Sequence, residues 1–285
     1  MSRSAQDLSW PDLVWSHFSR PRFGQFDERV AAAAAAGFSA IGLYALEYRR
    51  LRDEEHRSLG DIADVLRANG LVLGEIETVK GWWATGGDAH ADCELVESLA
   101  YELADGVGAR YLQAIGSYEG SFDEAVAGFA ALCDRAADHG LKVGIEWLPY
   151  TNIANADDAR RIVEAADRPN GGYCVDIWHH IRGANDVAML RRLPGDRVLA
   201  VQMNDGSLQP ALPDYKADCL ASRVPPGEGE FDAVGFVRTL VDMGVTAPIS
   251  LEVCSTELWA APVNDAAQRS ADAMRSVLAR AGAAR

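Results

Sequence analysis

The amino-acid sequence predicts a single (β/α)8 barrel over residues 1–285. Ala-rich amphipathic stretches repeatedly end in glycine and lead directly into short runs rich in Val, Ile and Leu. Continuously apolar runs of this kind are typical of parallel strands that are covered on both faces. Eight such runs alternate with helical stretches, which is the element count of this barrel. A doubly wound sheet would usually have fewer strands and a G-x-G-x-x-G turn, which the sequence lacks.

Each element follows from this pattern in chain order. Glycine just past a helix supplies a left-handed cap, so five glycines mark helix ends: Gly37, Gly70, Gly108, Gly140 and Gly244. The strands are predicted to begin near Leu13, Ala40, Val72, Tyr111, Lys142, Gly172, Leu199 and Pro248. The helices are predicted at about 27–36, 54–69, 90–105, 122–139, 156–167, 185–192, 232–243 and 263–282.

No linker, low-complexity segment or block of charge divides the chain, so one domain is expected. The stretch 205–232, rich in Pro, Gly and Asp, is interpreted as an enlarged irregular loop after strand seven. Long loops inside compact domains are usually functional. This loop is therefore expected to contribute to a site.

Composition excludes several classes of protein. With 48% hydrophobic and 24% charged residues the chain is not disordered. A formal charge of −15 repels nucleic acid and anionic membranes, so neither is an expected partner. The five cysteines form no C-x-x-C pair, which indicates neither a zinc ribbon nor a disulfide framework. No secretory signal or membrane-spanning run is recognised, and a cytoplasmic location is expected.

Polar residues end four consecutive strands that are otherwise apolar. They are Glu146, Asp176, Gln202 and Glu252, on strands five to eight. The carboxyl ends of barrel strands converge at one mouth, where three carboxylates would repel one another strongly. A divalent ion relieves this repulsion, and oxygen donors favour Mn²⁺, with Mg²⁺ or Co²⁺ next. Zn²⁺ stays open. A single Glu at a strand end is most often solvated, but four successive strands argue for a metal site.

Five segments carry a resemblance to a known family: GIEW, VDIWH, VQMND, VPPGEGEFD and ISLEV. They resemble the second half of the xylose-isomerase-like TIM barrels, which include tagatose-type 3-epimerases, inosose isomerase and dehydratase, 3-dehydroshikimate dehydratase and endonuclease IV. The resemblance implies metal ligands at Glu146, Asp176 and Glu252, and an additional histidine at His179. The sequence departs from the family at Gln202, where a His ligand is commonest. An amide oxygen can still ligate a metal, so Gln202 is retained as a ligand.

Further residues are candidates for contact with the substrate. His179, in the first turn after strand six, is predicted to bind substrate or to transfer a proton. Arg223, in the loop that closes over the metal in the resembled family, is predicted to clamp a carboxylate or hydroxyl. Lys80 is a second candidate cation, and His17 and Asn204 are expected at the same rim.

Six tryptophans lie at or just beyond predicted strand ends. Any single one is usually a core residue, but six at one end of the barrel suggest an aromatic wall around a ring-shaped substrate. We expect at least three to line the pocket, with Trp82, Trp147 and Trp178 named as substrate contacts. The full set is Trp15, Trp82, Trp83, Trp147, Trp178 and Trp259.

The predicted chemistry is proton abstraction next to a carbonyl, with Glu146, Glu252 and His179 as the catalytic groups and a metal-stabilised enediolate. The favoured function is a metal-dependent isomerase or epimerase of a polyhydroxylated ketone. The alternative is a dehydratase that eliminates a β-hydroxyl from a cyclic substrate. DNA repair is disfavoured by the charge of −15 and by only six histidines. A non-enzymatic function, as a sugar-binding subunit without a metal, is a further alternative. A homo-oligomer is a possible assembly.

Overall fold

The computed structural model describes residues 4–21 and 25–284, and its eight strands form a closed parallel barrel. Each strand pairs with its neighbours in sequence, and β1 closes the barrel by pairing with β8. This confirms the predicted fold class. The strands are β1 Leu13–Trp15, β2 Ala40–Tyr44, β3 Val72–Val79, β4 Tyr111–Ala114, β5 Lys142–Glu146, β6 Gly171–Asp176, β7 Val198–Met203 and β8 Ile249–Leu251.

Helices cover the outside of the barrel and also occur in its loops. No helix in the described part of the chain is both long enough and apolar enough to cross a membrane. The helices are α1 Phe26–Ala35, α2 Ala45–Asp53, α3 Leu59–Ala68, α4 Gly87–Val107, α5 Phe122–Ala137, α6 Ala156–Ala166, α7 Ile177–Ile181, α8 Val187–Leu190, α9 Tyr215–Ala221, α10 Ala233–Asp242, α11 Thr256–Ala260 and α12 Val263–Ala281.

The strand starts agree with the sequence prediction to within one residue, but four helices, α2, α7, α9 and α11, have no counterpart among the predicted helices. The helix predicted at 54–69 is only α3, and α2 precedes it directly after β2. The stretch 205–232 is not wholly irregular, because it contains α9. Both α2 and α9 are short, with nine and seven residues, so neither shows the long apolar periodicity that marks the outer helices.

The five glycines that were predicted to end helices adopt the expected backbone conformation. Gly37, Gly70, Gly108, Gly140 and Gly244 all have φ between 68° and 93°. An L-residue with a side chain rarely occupies this left-handed region. The pattern of helix, glycine and apolar run therefore reflects a real chain reversal before five of the strands.

The two ends of the barrel interior differ in polarity. Near the amino ends of the strands, Leu8, Val14 and Ala40 form a small buried apolar cluster. Towards the carboxyl ends, buried polar side chains replace apolar ones. These are Glu75, Glu77, Gln113, Glu146, Asp176, Gln202, Asn204, Ser250 and Glu252.

The loop after β7 is organised around the buried carboxylate of Asp205. Its Oδ1 accepts hydrogen bonds from the backbone N–H groups of Gly206 (2.7 Å) and Phe231 (2.9 Å), and its Oδ2 from that of Gly227 (2.8 Å). The Asp205 backbone also exchanges two hydrogen bonds of 2.9 Å with Val224. These contacts fix the chain on both sides of Val224 and so hold the preceding residue, Arg223, at the barrel mouth.

Gly42, in β2, leaves room for two buried carboxyl groups. A Cβ atom at this position would lie 2.1 Å from Glu77 Oε1 and 2.8 Å from Glu75 Oε1. Glu77 has little freedom to retreat, because its Oε1 accepts from the His17 N–H (2.9 Å) and its Oε2 from the Ser16 hydroxyl (3.1 Å).

We therefore expect Gly42→Ala to lower the free energy of unfolding by roughly 1–3 kcal/mol, as overpacking of a buried site does. Chemical denaturation of the variant measures this. Gly60→Ala is the matched control, because the nearest atom to its new Cβ is 3.5 Å away, on Ser58 in the first turn of α3. The control should be neutral or slightly stabilising. Equal stability of Gly42→Ala and wild type would contradict the tight packing.

Candidate active site and metal centre

A cavity of about 210 Å³ opens at the carboxyl ends of the strands. Active sites of this barrel type occur at the same end. The cavity has buried acidic groups, partly exposed aromatic and aliphatic groups, and two lysines. Its lining residues are Phe18, Tyr44, Thr78, Lys80, Gln113, Ile115, Glu146, Leu148, Tyr150, His179, Lys216, Cys219, Leu220, Arg223, Glu252 and Cys254.

Three buried side chains form a compact donor group beside the cavity. One ligand atom each from Glu146, Asp176 and His179 lies within 4.8 Å of the other two. His179 Nε2 is 3.4 Å from Glu146 Oε1 and 3.7 Å from Asp176 Oδ2. The proximity follows from sequence, because Asp176 ends β6, His179 lies one helical turn later in α7, and Glu146 ends the neighbouring β5.

Surrounding donors fix the orientation of these groups. Asp176 Oδ1 accepts from the Trp178 N–H (2.8 Å) and the Asn204 amide (2.9 Å). Glu146 Oε2 accepts from the Gln113 amide (2.6 Å). His179 Nδ1 shares a hydrogen bond of 3.0 Å with the Tyr215 hydroxyl, which leaves Nε2 directed towards the carboxylates.

Arg223 joins the carboxylates of two different strands. Its Nη1 donates to Asp176 Oδ2 (2.9 Å) and to Glu252 Oε2 (2.8 Å). Its Nε donates to the Cys219 carbonyl (2.9 Å), and the guanidinium carbon lies 5.4 Å from the centre of the Trp178 ring. The side chain is 2% exposed, so its charge is confined to the interior and is largely neutralised there.

Gln202, on β7, presents its amide group to Glu252. Its Nε2 donates to Glu252 Oε1 (3.2 Å), while its Oε1 accepts from the Cys174 thiol (3.3 Å). An amide can exchange its oxygen and nitrogen positions by rotation about one bond. A turn of the Gln202 amide would direct its oxygen towards the acidic group, as ligation of a cation requires.

Burial dominates the protonation of the acidic groups. It raises the pKa of Glu252 to about 8, and it raises the pKa of Glu146 well above its usual value, with repulsion from Glu252 and Asp176 adding to the shift. Burial also lowers the pKa of His179 to about 4, against the attraction of Asp176. The imidazole is thus neutral at neutral pH, the form in which a ring nitrogen can ligate a metal.

The residues present fit a divalent cation. Glu146 Oε1 is buried and has no hydrogen-bond partner among the described residues. Glu146 and the neighbouring Asp176 and Glu252 supply three carboxyl groups, and Arg223 supplies a single compensating charge. A donor set of carboxylate oxygens with one imidazole nitrogen suits Mn²⁺, Mg²⁺, Co²⁺ or Zn²⁺.

Of the predicted substrate-contacting residues, Lys80, His179 and Arg223 line the cavity and the others do not. Asn204 lies behind the surface and donates to Asp176. His17 is buried, its backbone N–H donates to Glu77, and its ring lies against those of Phe18 and Tyr44. Direct substrate contact by His17 and Asn204 is therefore not supported.

The prediction of a tryptophan wall is wrong. None of the six tryptophans lines the cavity. Trp15, Trp82, Trp147 and Trp178 are each at most 3% exposed and belong to the main apolar core. Trp15 stacks on Phe38, between α1 and β2, and Trp82 packs on Phe129 of α5. A position at a strand end gives the height of a side chain in the barrel, whereas alternation along the strand decides whether it points inward.

The aromatic residues that do line the cavity were not predicted from the sequence. They are Phe18, Tyr44 and Tyr150, and each comes from a different loop or strand end. Gln113 and Tyr215, which hold Glu146 and His179, were also not predicted. A polar residue within β4 was a recognisable signal for Gln113, but no feature of the sequence singled out Tyr215.

A second pair of buried carboxyl groups, Glu75 and Glu77 on β3, was missed as well. Glu75 Oε1 accepts from the Ser250 hydroxyl (2.5 Å), and the carboxyl groups of Glu75 and Glu77 both lie beside Gly42. Burial raises the pKa of Glu75 to about 7 and that of Glu77 well above its usual value. Two adjacent buried carboxyl groups share a proton because both cannot ionise together.

The raised pKa of Glu75 predicts a pH-dependent stability. The folded protein holds this proton more tightly than the unfolded chain does, so the contribution is complete below the ordinary Glu pKa and is lost as pH rises through about 7. Glu75→Gln removes the titration. Its free energy of unfolding should therefore increase relative to wild type from about pH 5 to about pH 8.

Denaturation in the presence of a chelator measures this difference without interference from metal binding. Glu54→Gln, on the exposed surface after α2, controls for the loss of one carboxyl group. A difference between Glu75→Gln and wild type that stays constant across this pH range would show that Glu75 ionises normally.

Comparison with known proteins agrees with the fold. The family model for the xylose isomerase-like TIM barrel matches residues 30–277. The 3-dehydroshikimate dehydratase of Pseudomonas putida is 25% identical over 264 residues, which are 90% of this chain and 40% of that protein. Inosose isomerase of Bacillus subtilis is 25% identical over 142 residues, 48% of this chain and 49% of that protein. The chain thus spans less than half the length of both relatives.

Among solved structures, the IOLI protein with a bound zinc atom superposes with a TM-score of 0.83 at 18% identity. The match covers 94% of this chain and 98% of that one. At this identity the likeness concerns the fold alone. Since the family model covers most of the sequence and the barrel carries acidic groups at its mouth, the chain belongs to the xylose isomerase-like TIM barrel family.

Proposed function

We propose that the protein is a divalent-metal-dependent isomerase or epimerase that moves a proton on a small polyhydroxylated ketone. The observation that carries this proposal is that Glu146 and Glu252, on β5 and just after β8, line the same cavity. Isomerisation and epimerisation require one group that removes a proton next to a carbonyl and another that returns it. Two carboxyl groups at separate positions of one cavity meet this requirement.

The chain's own residues have distinct roles in this scheme. The carboxylate that is ionised removes the proton from carbon, and the protonated one delivers a proton to the other face or to the neighbouring carbon. Gln113 holds Glu146 by a hydrogen bond of 2.6 Å, and Arg223 holds Glu252 by one of 2.8 Å. His179, neutral and fixed by Tyr215, binds a substrate hydroxyl or relays a proton. The surrounding apolar groups limit the access of water.

The ion would be held by Glu146, Asp176 and Glu252, with Gln202 and His179 as further donors. When bound, a divalent ion acts as a Lewis acid that stabilises negative charge on the substrate oxygens. Mn²⁺ is our preferred ion on the basis of the oxygen donors. The bound zinc of the IOLI protein also supports a divalent ion.

A dehydratase is the second candidate. His179 Nε2 is 3.4 Å from Glu146 Oε1, so two groups able to accept or donate a proton lie side by side. Elimination of a β-hydroxyl needs such groups close to each other, one for the C–H bond and one for the departing oxygen. The match to a 3-dehydroshikimate dehydratase along 90% of this chain adds support.

Incubation in D₂O with candidate ketones separates the two functions. An isomerase or epimerase incorporates deuterium into the carbon skeleton without loss of water, as mass spectrometry and proton NMR would detect. A dehydratase releases water and gives an unsaturated, ultraviolet-absorbing product. Neutral inososes, ketohexoses and 3-dehydroshikimate form the substrate panel, since they represent the relatives and structures that the chain resembles.

The two glutamates can be tested apart from metal binding. Glu146→Gln and Glu252→Gln keep an oxygen donor but lose the basic carboxylate. Each should lower kcat by at least roughly 10²-fold, the usual contribution of general acid–base catalysis. Metal content, measured by elemental analysis, should fall much less, because an amide oxygen can still coordinate.

Asp176→Ala is the matched contrast, because it deletes a donor without leaving an oxygen in its place. Its metal content should fall sharply. Near-full turnover by both glutamine variants with metal bound would exclude Glu146 and Glu252 as proton carriers, and the base would then have to be His179. Wild-type protein that retains no divalent metal and turns over no ketone would instead favour a binding subunit.

A further inference from the structure

Lysine is rare in this chain, and its distribution is uneven. The sequence has 27 basic residues, of which only Lys80, Lys142 and Lys216 are lysines. Two of the three, Lys80 and Lys216, line the candidate active-site cavity. They come from distant parts of the sequence, Lys80 directly after β3 and Lys216 from α9 in the loop after β7. The fold thus brings two of its three lysines to one cavity.

Neither ammonium group is used to hold the structure together. Most charged arginine side chains on the surface pair with a carboxylate, as Arg57 does with Asp27 and Arg168 with Asp134. By contrast, Lys80 and Lys216 have no hydrogen bond or ion pair with any described residue, and both are exposed. Both lysines line the same cavity. Partial desolvation there, and then the charge of Lys216, lower the pKa of Lys80.

The other cation of the cavity is already neutralised. Arg223 is buried and bonds to Asp176 and Glu252, so little of its charge is left for a ligand. The acidic end of the cavity, with Glu146 and Glu252, repels anions, and the net charge of −15 does so at longer range. Two unpaired ammonium groups at the rim therefore form the part of the cavity that favours negative charge.

We propose that Lys80 and Lys216 form a subsite for an anionic oxygen group, a carboxylate or a phosphate ester, on the substrate. This inference rests on the proposed function, because the substrate that binds the lysines through its anionic group would also place its carbonyl group among the acidic residues. An anion held at the rim lies away from Glu146 and Glu252, and the substrate then enters in one orientation. Two lysines also compensate the unfavourable overall charge at the point of entry.

Binding measurements with three probes test the subsite. The probes are 3-dehydroshikimate, a cyclic hydroxyketone with a carboxylate; a neutral inosose; and fructose 6-phosphate, a ketose with a phosphate ester. Dissociation constants are measured by calorimetry on the metal-loaded wild type, Lys80→Met, Lys216→Met, Lys80→Arg and Lys142→Met. Lys142 begins β5 and does not line the cavity, so its replacement is the matched control.

We expect Lys80→Met and Lys216→Met each to weaken binding of an anionic probe about tenfold, the size of one hydrogen bond to a charged group. Lys80→Arg and Lys142→Met should bind as wild type does, and the inosose should be unaffected by all four changes. Added salt should weaken binding of the anionic probe only. Preference for 3-dehydroshikimate identifies a carboxylate subsite, and preference for fructose 6-phosphate a phosphate subsite.

The subsite and the proposed function can fail separately. Lysine-dependent binding of an anion without turnover would support the subsite and count against the function. Turnover of a neutral ketone that is unchanged in Lys80→Met and Lys216→Met, with no preference for either anionic probe, would overturn the subsite and leave the function standing. Circular dichroism of the variants confirms that the exposed changes leave the fold intact.

Discussion

The burial of several carboxyl groups at one end of the barrel is the constraint on which the rest of the site depends. Glu75, Glu77, Glu146, Asp176 and Glu252 are each at most 6% exposed. Ionised carboxylates at this depth are costly unless cations or protons compensate them. The structure distributes this compensation: Arg223 pairs with Asp176 and Glu252, and the raised pKa values of Glu75 and Glu77 favour their protonated forms. Glu146 has no arginine or lysine as an ion-pair partner among the described residues, and it lies instead beside Asp176 and His179.

This distribution links the interior to the loop after β7. Arg223 is presented by a segment whose backbone is fixed by Asp205, a residue that contacts neither the cavity nor the acidic cluster. The loop thus determines the position of the Arg223 guanidinium, and the barrel strands supply its ion-pair partners, Asp176 and Glu252. An acidic barrel without this loop would have Asp176 and Glu252 facing each other uncompensated. Loop and barrel therefore form one electrostatic unit although the loop contributes no strand.

The fold was predictable because its signals are local. A glycine cap followed by an apolar run is a pattern of neighbouring residues, and the predicted strand starts agree with the observed ones to within one residue. The acidic strand ends, Glu146, Asp176 and Glu252, were recognised for the same reason. The tryptophans and the Glu75–Glu77 pair were not, since strand register and inward or outward direction decide their place. Tyr215 and Lys216 belong to α9, whose position over the cavity depends on the path of a long loop.

The short helix α9 also bears on how such proteins diversify. Its seven residues include Tyr215, which holds His179, Lys216 at the rim, and Cys219 against Arg223. None of these side chains takes part in the strand pairing that closes the barrel. Substitutions at the exposed positions of this segment, such as Lys216, would alter the rim of the cavity while the strand pairing persists. Its buried positions, Asp218 and Cys219, are constrained by their contacts with Arg182 and Arg223. Selection can thus change ligand preference at the exposed positions of one short helix, separately from the strands that close the barrel.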